Sequence, residues 1–177
     1  ARLTIEIIKT AVAHGAKAFN YTEALSFIQQ EGKIIGVELK DTLSGEQYKI
    51  YGTATVNATG PWVDGLRKKD GSLQGSRLHL TKGVHIVVHH NVLPVKQAIY
   101  FEGPDGRMIF AIPRDGKTYI GTTDTDFIGS PDEVKSDIGD AEYLLKAVNS
   151  AFSVRPLTLM DIESSWAGLR PVSYTHL

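Results

Sequence analysis

Four turn signals, each set between short runs of β-forming residues, constrain this chain more than any other feature. Glu31-Gly32 and Ser44-Gly45 separate runs at 24–29, 34–39 and 47–51, while Gly103-Pro104-Asp105-Gly106 and Asp115-Gly116 separate runs at 97–102, 108–112 and 118–121. Connections this short reverse the chain in hairpins, whereas parallel neighbours need a crossover of roughly a dozen residues or more. Two antiparallel sheets are therefore expected. The first is a meander over 24–51, and the second opens after residue 75 with a further strand at 84–88.

The remaining elements follow from period and punctuation. Leu3, Ile7, Ile8, Ala11 and Val12 recur at helical spacing with Gly15 placed as a left-handed cap, so a helix is expected over 2–14. A short β-type run at 16–20 follows. The β-branched run 53–57, then Ala58-Thr59-Gly60-Pro61 and the helix-like 62–68, reads as strand, glycine turn, helix. Lys68 to Gly75 is polar and flexible enough for a crossing between domains. Further on, Pro131-Asp132-Glu133 starts a helical stretch, 141–152 is a helix with Leu144, Leu145 and Val148 inward, and 162–169 is a closing strand. With 177 residues, 42% of them apolar, the chain suffices for one domain or two small ones. It opens on Ala1, has methionine only at Met108 and Met160, and stops just after its last strand, so it reads as an internal piece of a longer protein.

Charge and cysteine content exclude several functions. Nineteen Lys and Arg against 20 Asp and Glu leave a net charge of −1, no field to hold a nucleic-acid backbone. The absence of cysteine excludes a disulfide framework, a thiolate metal site, an iron–sulfur cluster and a cysteine nucleophile, and is compatible with a reducing cytosol. No apolar run approaches the ~20 residues that span a bilayer. A soluble, cytoplasmic chain is the expectation.

Several residue groups could carry chemistry. Val56 to Trp62 places small residues and Gly60 between a strand and a helix, where backbone can approach a phosphate-bearing cofactor or simply turn. His79, His85 and His89 share strand parity and His90 adjoins, but His85 and His89 would lie roughly 13 Å apart, too far to share one ion, so no metal is expected. His85, after Thr81-Lys82-Gly83, is either a general base or a packed strand histidine. Asp124 to Gly129 is not a calcium loop, because Ile128 and Lys135 occupy ligand positions. Gly121-Thr122-Thr123-Asp124 can present hydroxyls and a carboxylate to a ligand or merely end a strand. Arg170, between Leu169 and Pro171, needs a structural carboxylate or an anionic substrate. Trp62 and Trp166 read as core residues.

Five blocks in order, Asn57 to Val63, Leu80 to His85, Phe110 to Arg114, Gly121 to Thr125 and Ser164 to Pro171, resemble the bacterial FAD-dependent glycerol-3-phosphate dehydrogenases, nearest the aerobic enzymes of Bacillus-type bacteria. The resemblance covers about residues 1–172; 173–177 depart from it and read as an artefact. It implies an α/β plus α+β fold, part of an FAD-binding Rossmann-like domain followed by an antiparallel-sheet substrate domain, as in amino-acid oxidase-like flavoproteins. The implied boundaries are 1–68 for the FAD part, 69–75 for the crossing, 76–165 for the substrate sheet and 166–172 for a strand returning toward the FAD domain. The implied reaction oxidises sn-glycerol 3-phosphate to dihydroxyacetone phosphate, with hydride passing to flavin and electrons to quinone. His85 is implied as the base, Arg170 as the phosphate ligand, and Lys82, Thr123 and Asp124 as pocket neighbours. Ala24, Ala58, Thr59, Gly60 and Trp62 are implied as FAD contacts. For the whole protein the resemblance also implies a peripheral seat on the inner face of the cytoplasmic membrane and a homodimer. The family's Gly-x-Gly-x-x-Gly turn and its later Gly-Gly-Lys segment have no counterpart here, so this chain alone is expected to be inactive and to hold FAD weakly. Alternatives are an oxygen-using oxidase of the same substrate, another amino-acid oxidase-like flavoprotein, or a non-catalytic binding module.

Overall fold

The computed structural model describes residues 2–75 and 77–172. The expectation for 173–177 lies outside the described residues. The chain forms two compact units, Ala1–Ala58 with Gly65–Leu73, and Thr59–Asp64 with Gln74–Leu177.

In the first unit, helix α1 (Arg2–Ala13) precedes an antiparallel meander of β1 (Thr22–Gln30), β2 (Lys33–Asp41) and β3 (Gln47–Tyr51). The turns follow from the residues noted. Glu31 and Gly32 both take positive φ, at 50° and 75°, which closes a two-residue hairpin whose twist matches the strands. At the second reversal the Asp41 carboxylate accepts from the backbone N–H groups of Leu43 and Ser44. Two expected strands do not form. Residues 16–20 and 53–57 are irregular, because a strand needs a neighbour to complete its ladder and none of the described strands lies beside either run. In α1, Leu3, Ile7, Ile8 and Val12 stay exposed.

Gly60–Trp62 forms a 3₁₀ turn that leads into helix α2 (Val63–Asp70), the observed form of the expected glycine turn and helix. The second unit is built around β4 (His79–His89). Along one edge runs β7 (Lys117–Gly121) and, past a break at 122–124, β8 (Thr125–Asp126); along the other runs β9 (Ile162–Val172). Strands β5 (Ile99–Glu102) and β6 (Met108–Arg114) extend the sheet beyond β7. The segment expected to return from residue 166 is the last part of β9 and pairs with β4 as far as Val172, opposite His79.

Helix α3 (Ile138–Ala151) covers one face of this sheet. It starts with a reciprocal capping box between Asp137 and Asp140 and turns Leu144, Leu145, Ala147 and Val148 inward. These meet Ile86, Val88, Ile109, Ala111 and Ile120 from alternate positions of β4, β6 and β7, with Leu93, Val95 and Leu157 closing the rim. Each fully buried aliphatic side chain contributes roughly 1.5–3 kcal/mol. Leu144 has no exposed area. Leu144→Ala is therefore expected to lower unfolding free energy by ~2–5 kcal/mol, read as a shift in the urea midpoint at unchanged slope.

Candidate active site

Strand alternation sends Val84, Ile86 and Val88 into the core and leaves Thr81, Gly83 and His85 on the opposite face. On that face the register lays one row across five strands: Tyr100 pairs with Phe110, Phe110 with Gly121, Gly121 with His85, and His85 with Trp166. Tyr100 and Phe110 stack at 4.3 Å, and His85 and Trp166 stack at 4.9 Å with only 7° between their planes. Tyr119 meets the Trp166 ring edge-on at 5.6 Å. The row has a gap at its centre, and the imidazole occupies it. A β-carbon on Gly121 would stand 2.3 Å from His85 Cδ2, so only glycine leaves the ring its place.

One step along the same face, Gly83 lies opposite Gly168, and one step further Thr81 lies opposite Arg170. The guanidinium folds back over Gly83, where a β-carbon would come within 2.9 Å of Arg170 Nη2. Above Gly168 the space is open. The guanidinium thus lies over Gly83 beside the imidazole, and the backbone at Gly168 is left open. Arg170 Nη1 donates to Asp124 Oδ1 at 3.0 Å and Nη2 donates to Thr122 Oγ1 at 3.2 Å. Of the two partners left open by the sequence, the carboxylate is present, and the guanidinium remains partly exposed. Asp124 is itself held, because its carbonyl accepts from Arg107, which is paired with Asp105 and lies over the Tyr143 ring.

His85 is half-buried, and burial first and the Arg170 charge second push its pKa below the usual 6.5. The ring is accordingly neutral and able to accept a proton at pH 7. Thr123 is buried and its hydroxyl is spent on β4: it accepts from the Val84 N–H at 2.9 Å and donates to the Lys82 carbonyl at 3.3 Å, bridging the break between β7 and β8.

Lys82 is not brought to this group. It shares the parity of the core residues and points to the α3 side, where its ammonium lies 2.7 Å from Asp137 and 2.6 Å from Asp140. Burial opposes its charge, but the two carboxylates outweigh burial and raise its pKa; the Lys82 hydrogen bond in turn holds Asp137 down to about 2. These residues, with Arg107, Thr123, Thr125, Gly139 and Tyr143, line a cleft of about 310 Å³ on that side.

Of the expected cofactor contacts, Ala24 is half-buried in β1 beside an irregularity in its pairing, and Ala58 is exposed. In the second unit, Thr59 precedes Gly60, which takes φ +56°, a backbone state suited to glycine. Neither tryptophan is core. Trp62 and Trp166 are 48% and 44% exposed, since one caps a surface turn through a hydrogen bond to Asp132 and the other stands on the sheet face opposite α3. Sequence reasoning noted Gly121 only as part of a strand-ending turn and missed Tyr119 and Trp166 as parts of the site. The shared parity of 166, 168 and 170 was the available signal. Among the described residues no cluster of three or more metal-ligating side chains gathers, and no helix is long and apolar enough to cross a membrane.

Open space over Gly168, beside an imidazole, a guanidinium and a row of aromatic rings, suits the close approach of a redox cofactor and an anion, which is the setting of a flavoprotein oxidoreductase. The model of the DAO family, FAD dependent oxidoreductase, matches residues 1–177, and the chain belongs to that family. It is 50% identical over 172 residues to the aerobic glycerol-3-phosphate dehydrogenase of Bacillus subtilis (strain 168), which spans 97% of this chain and 31% of that protein. It superposes with TM-score 0.93 and 53% identity on the glycerol-3-phosphate dehydrogenase from Bacillus halodurans complexed with FAD, over 98% of this chain and 35% of that one. A glycine oxidase from Bacillus cereus shares the fold at TM-score 0.65 and 24% identity, over 93% of this chain and 41% of that one. The chain thus spans about a third of the length of the glycerol-3-phosphate dehydrogenases it matches.

Two outcomes follow from this geometry. Lys82→Met should cost ~3 kcal/mol in chemical denaturation, because it strands the buried Asp140 carboxylate without its counter-ion. Arg170→Gln should raise the His85 titration followed by NMR of its ring protons, but only part of the way to 6.5, since burial remains.

Proposed function

We propose that this chain supplies the substrate-oxidising face of an FAD-dependent dehydrogenase acting on sn-glycerol 3-phosphate, with dihydroxyacetone phosphate as product. The observation that carries the reading is the placement of the His85 imidazole and the Arg170 guanidinium on one face, beside the open backbone of Gly168. The names of the similar dehydrogenases supply the substrate, and the FAD complex of one of them supplies the cofactor.

The open space above Gly168 lets a ring system approach the backbone closely. The resemblance makes Ala24, Ala58, Thr59, Gly60 and Trp62 the proposed FAD contacts. When bound, FAD supplies the acceptor for the hydride leaving C2 of the substrate. The chain's own residues do the rest. The unprotonated ring nitrogen of His85 takes the C2 hydroxyl proton as the carbonyl forms. Arg170 binds the substrate phosphate with its planar fork, and Asp124 and Thr122 hold that fork in place. Thr123 fixes the backbone from which Asp124 projects. Lys82 drops out of the proposed pocket, because its charge is spent on α3. Quinone as electron acceptor, a peripheral membrane seat and a homodimer belong to the same proposal and rest on the resemblance.

The test is single-turnover flavin reduction by sn-glycerol 3-phosphate in the complete flavoprotein carrying this sequence. His85→Asn should slow reduction by ~10² to 10⁴-fold with FAD retained, and should remove the acidic limb of the pH profile. Arg170→Ala should lower kcat/KM by roughly tenfold to over a hundredfold, and Arg170→Lys should also be impaired. Wild-type kinetics in His85→Asn would defeat the assignment of the base.

A further inference from the structure

The imidazole of His85 is held from two sides by residues that make no hydrogen bond to it. From β9, Trp166 sits in register with His85 and stacks its indole face to face on the ring, nearly parallel to it, at 4.9 Å and 7°. From β7, Gly121 sits in register on the other edge, so close that a β-carbon there would lie 2.3 to 2.8 Å from three ring atoms. Tyr119 stands edge-on to the indole at 61°, which restricts its rotation in turn. An imidazole free on a strand would sample several rotamers, and a proton acceptor must be oriented toward the bond that breaks.

We propose that Trp166 is a positioning residue for His85: its indole, acting against the bare backbone of Gly121, fixes the plane of the imidazole and excludes water from one of its faces. The proposal deepens the reading of His85 as base and rests on it. It also accounts for an exposed tryptophan on a sheet face where a smaller residue would satisfy the strand. An indole face attracts a cation as well as excluding water. The surrounding charges decide between the two effects. On β9, Arg170 faces the same side; after β7, Asp124 is committed to Arg170; on β4, Lys82 points to α3 and His79 is paired with Asp126. The cation nearest in effect is thus Arg170, and water exclusion and repulsion act together to keep the ring neutral, in line with the lowered pKa of His85.

Two measurements on the complete FAD-loaded protein test this. Carbethoxylation of His85 against pH, followed by peptide mass spectrometry, reports when the ring becomes neutral. Trp166→Leu should move that titration up toward 6.5, and Trp166→Phe, which keeps a flat ring, should restore most of the wild-type value. Single-turnover flavin reduction above the titration should fall ~10 to 10²-fold in Trp166→Leu and recover in Trp166→Phe. A titration unmoved or lowered in Trp166→Leu overturns the proposal, as does an unaltered reduction rate where His85→Asn is slow. If His85→Asn proves as fast as wild type, the base assignment fails, and the carbethoxylation titration still decides the positioning role. Should Trp166→Leu lose its flavin, Gly121→Ala, which displaces the ring from the opposite side, should raise the titration likewise; an unshifted value there overturns the proposal.

Discussion

The second unit depends on β4 being hydrogen-bonded along both edges. At His85 the strand pairs with Gly121 on one side and Trp166 on the other, and at Thr81 it pairs with both Asp126 and Arg170. Because side chains alternate at a period of two, this single strand builds the core with Val84, Ile86 and Val88 and displays Gly83 and His85 on the far side. A slip of one residue would bury the imidazole and expose the core. The α3 helix fixes the register by accepting only the aliphatic face.

Lys82 and Arg170 show how surroundings assign different work to similar charges. Lys82 lies between two carboxylates, one of them 5% exposed, and links β4 to the capped start of α3. Such a pair is costly to break, since either partner alone would be a stranded charge. Arg170 and Asp124 remain 43% and 57% exposed, and solvent screening keeps their attraction small. The first pair therefore serves the fold, and the second orients a guanidinium that stays accessible to an incoming anion.

Small residues set the site's shape. Gly121 gives the imidazole its seat, Gly83 lets the guanidinium fold back, and Gly168 leaves its backbone open. Each gives up a side chain that could have strengthened a strand, a concession of the kind found where backbone must be approached closely. The aromatic rings around them, Tyr100, Phe110 and Trp166, stay exposed on the face opposite α3.

By itself the sequence determined the hairpins, the antiparallel pairing, the inward face of α3 and the identity of His85 and Arg170 as candidates. Turn chemistry at Glu31-Gly32 and Asp115-Gly116 and the spacing of Leu144, Leu145 and Val148 act over a few residues, so they can be read locally. The ordered motif blocks supplied the family. The tertiary structure decided what local patterns do not contain. Strands at 16–20 and 53–57 fail for want of a partner, which no propensity reveals. Trp166 reads as core until the sheet shows which face is covered. Lys82 and His85 are three apart on one strand and end on opposite faces, and only the pairing of Gly121 and Trp166 with β4 brings residues 36 and 81 positions distant onto the imidazole. Those contacts are set by register across the sheet, a long-range property that depends on which strands finally lie side by side.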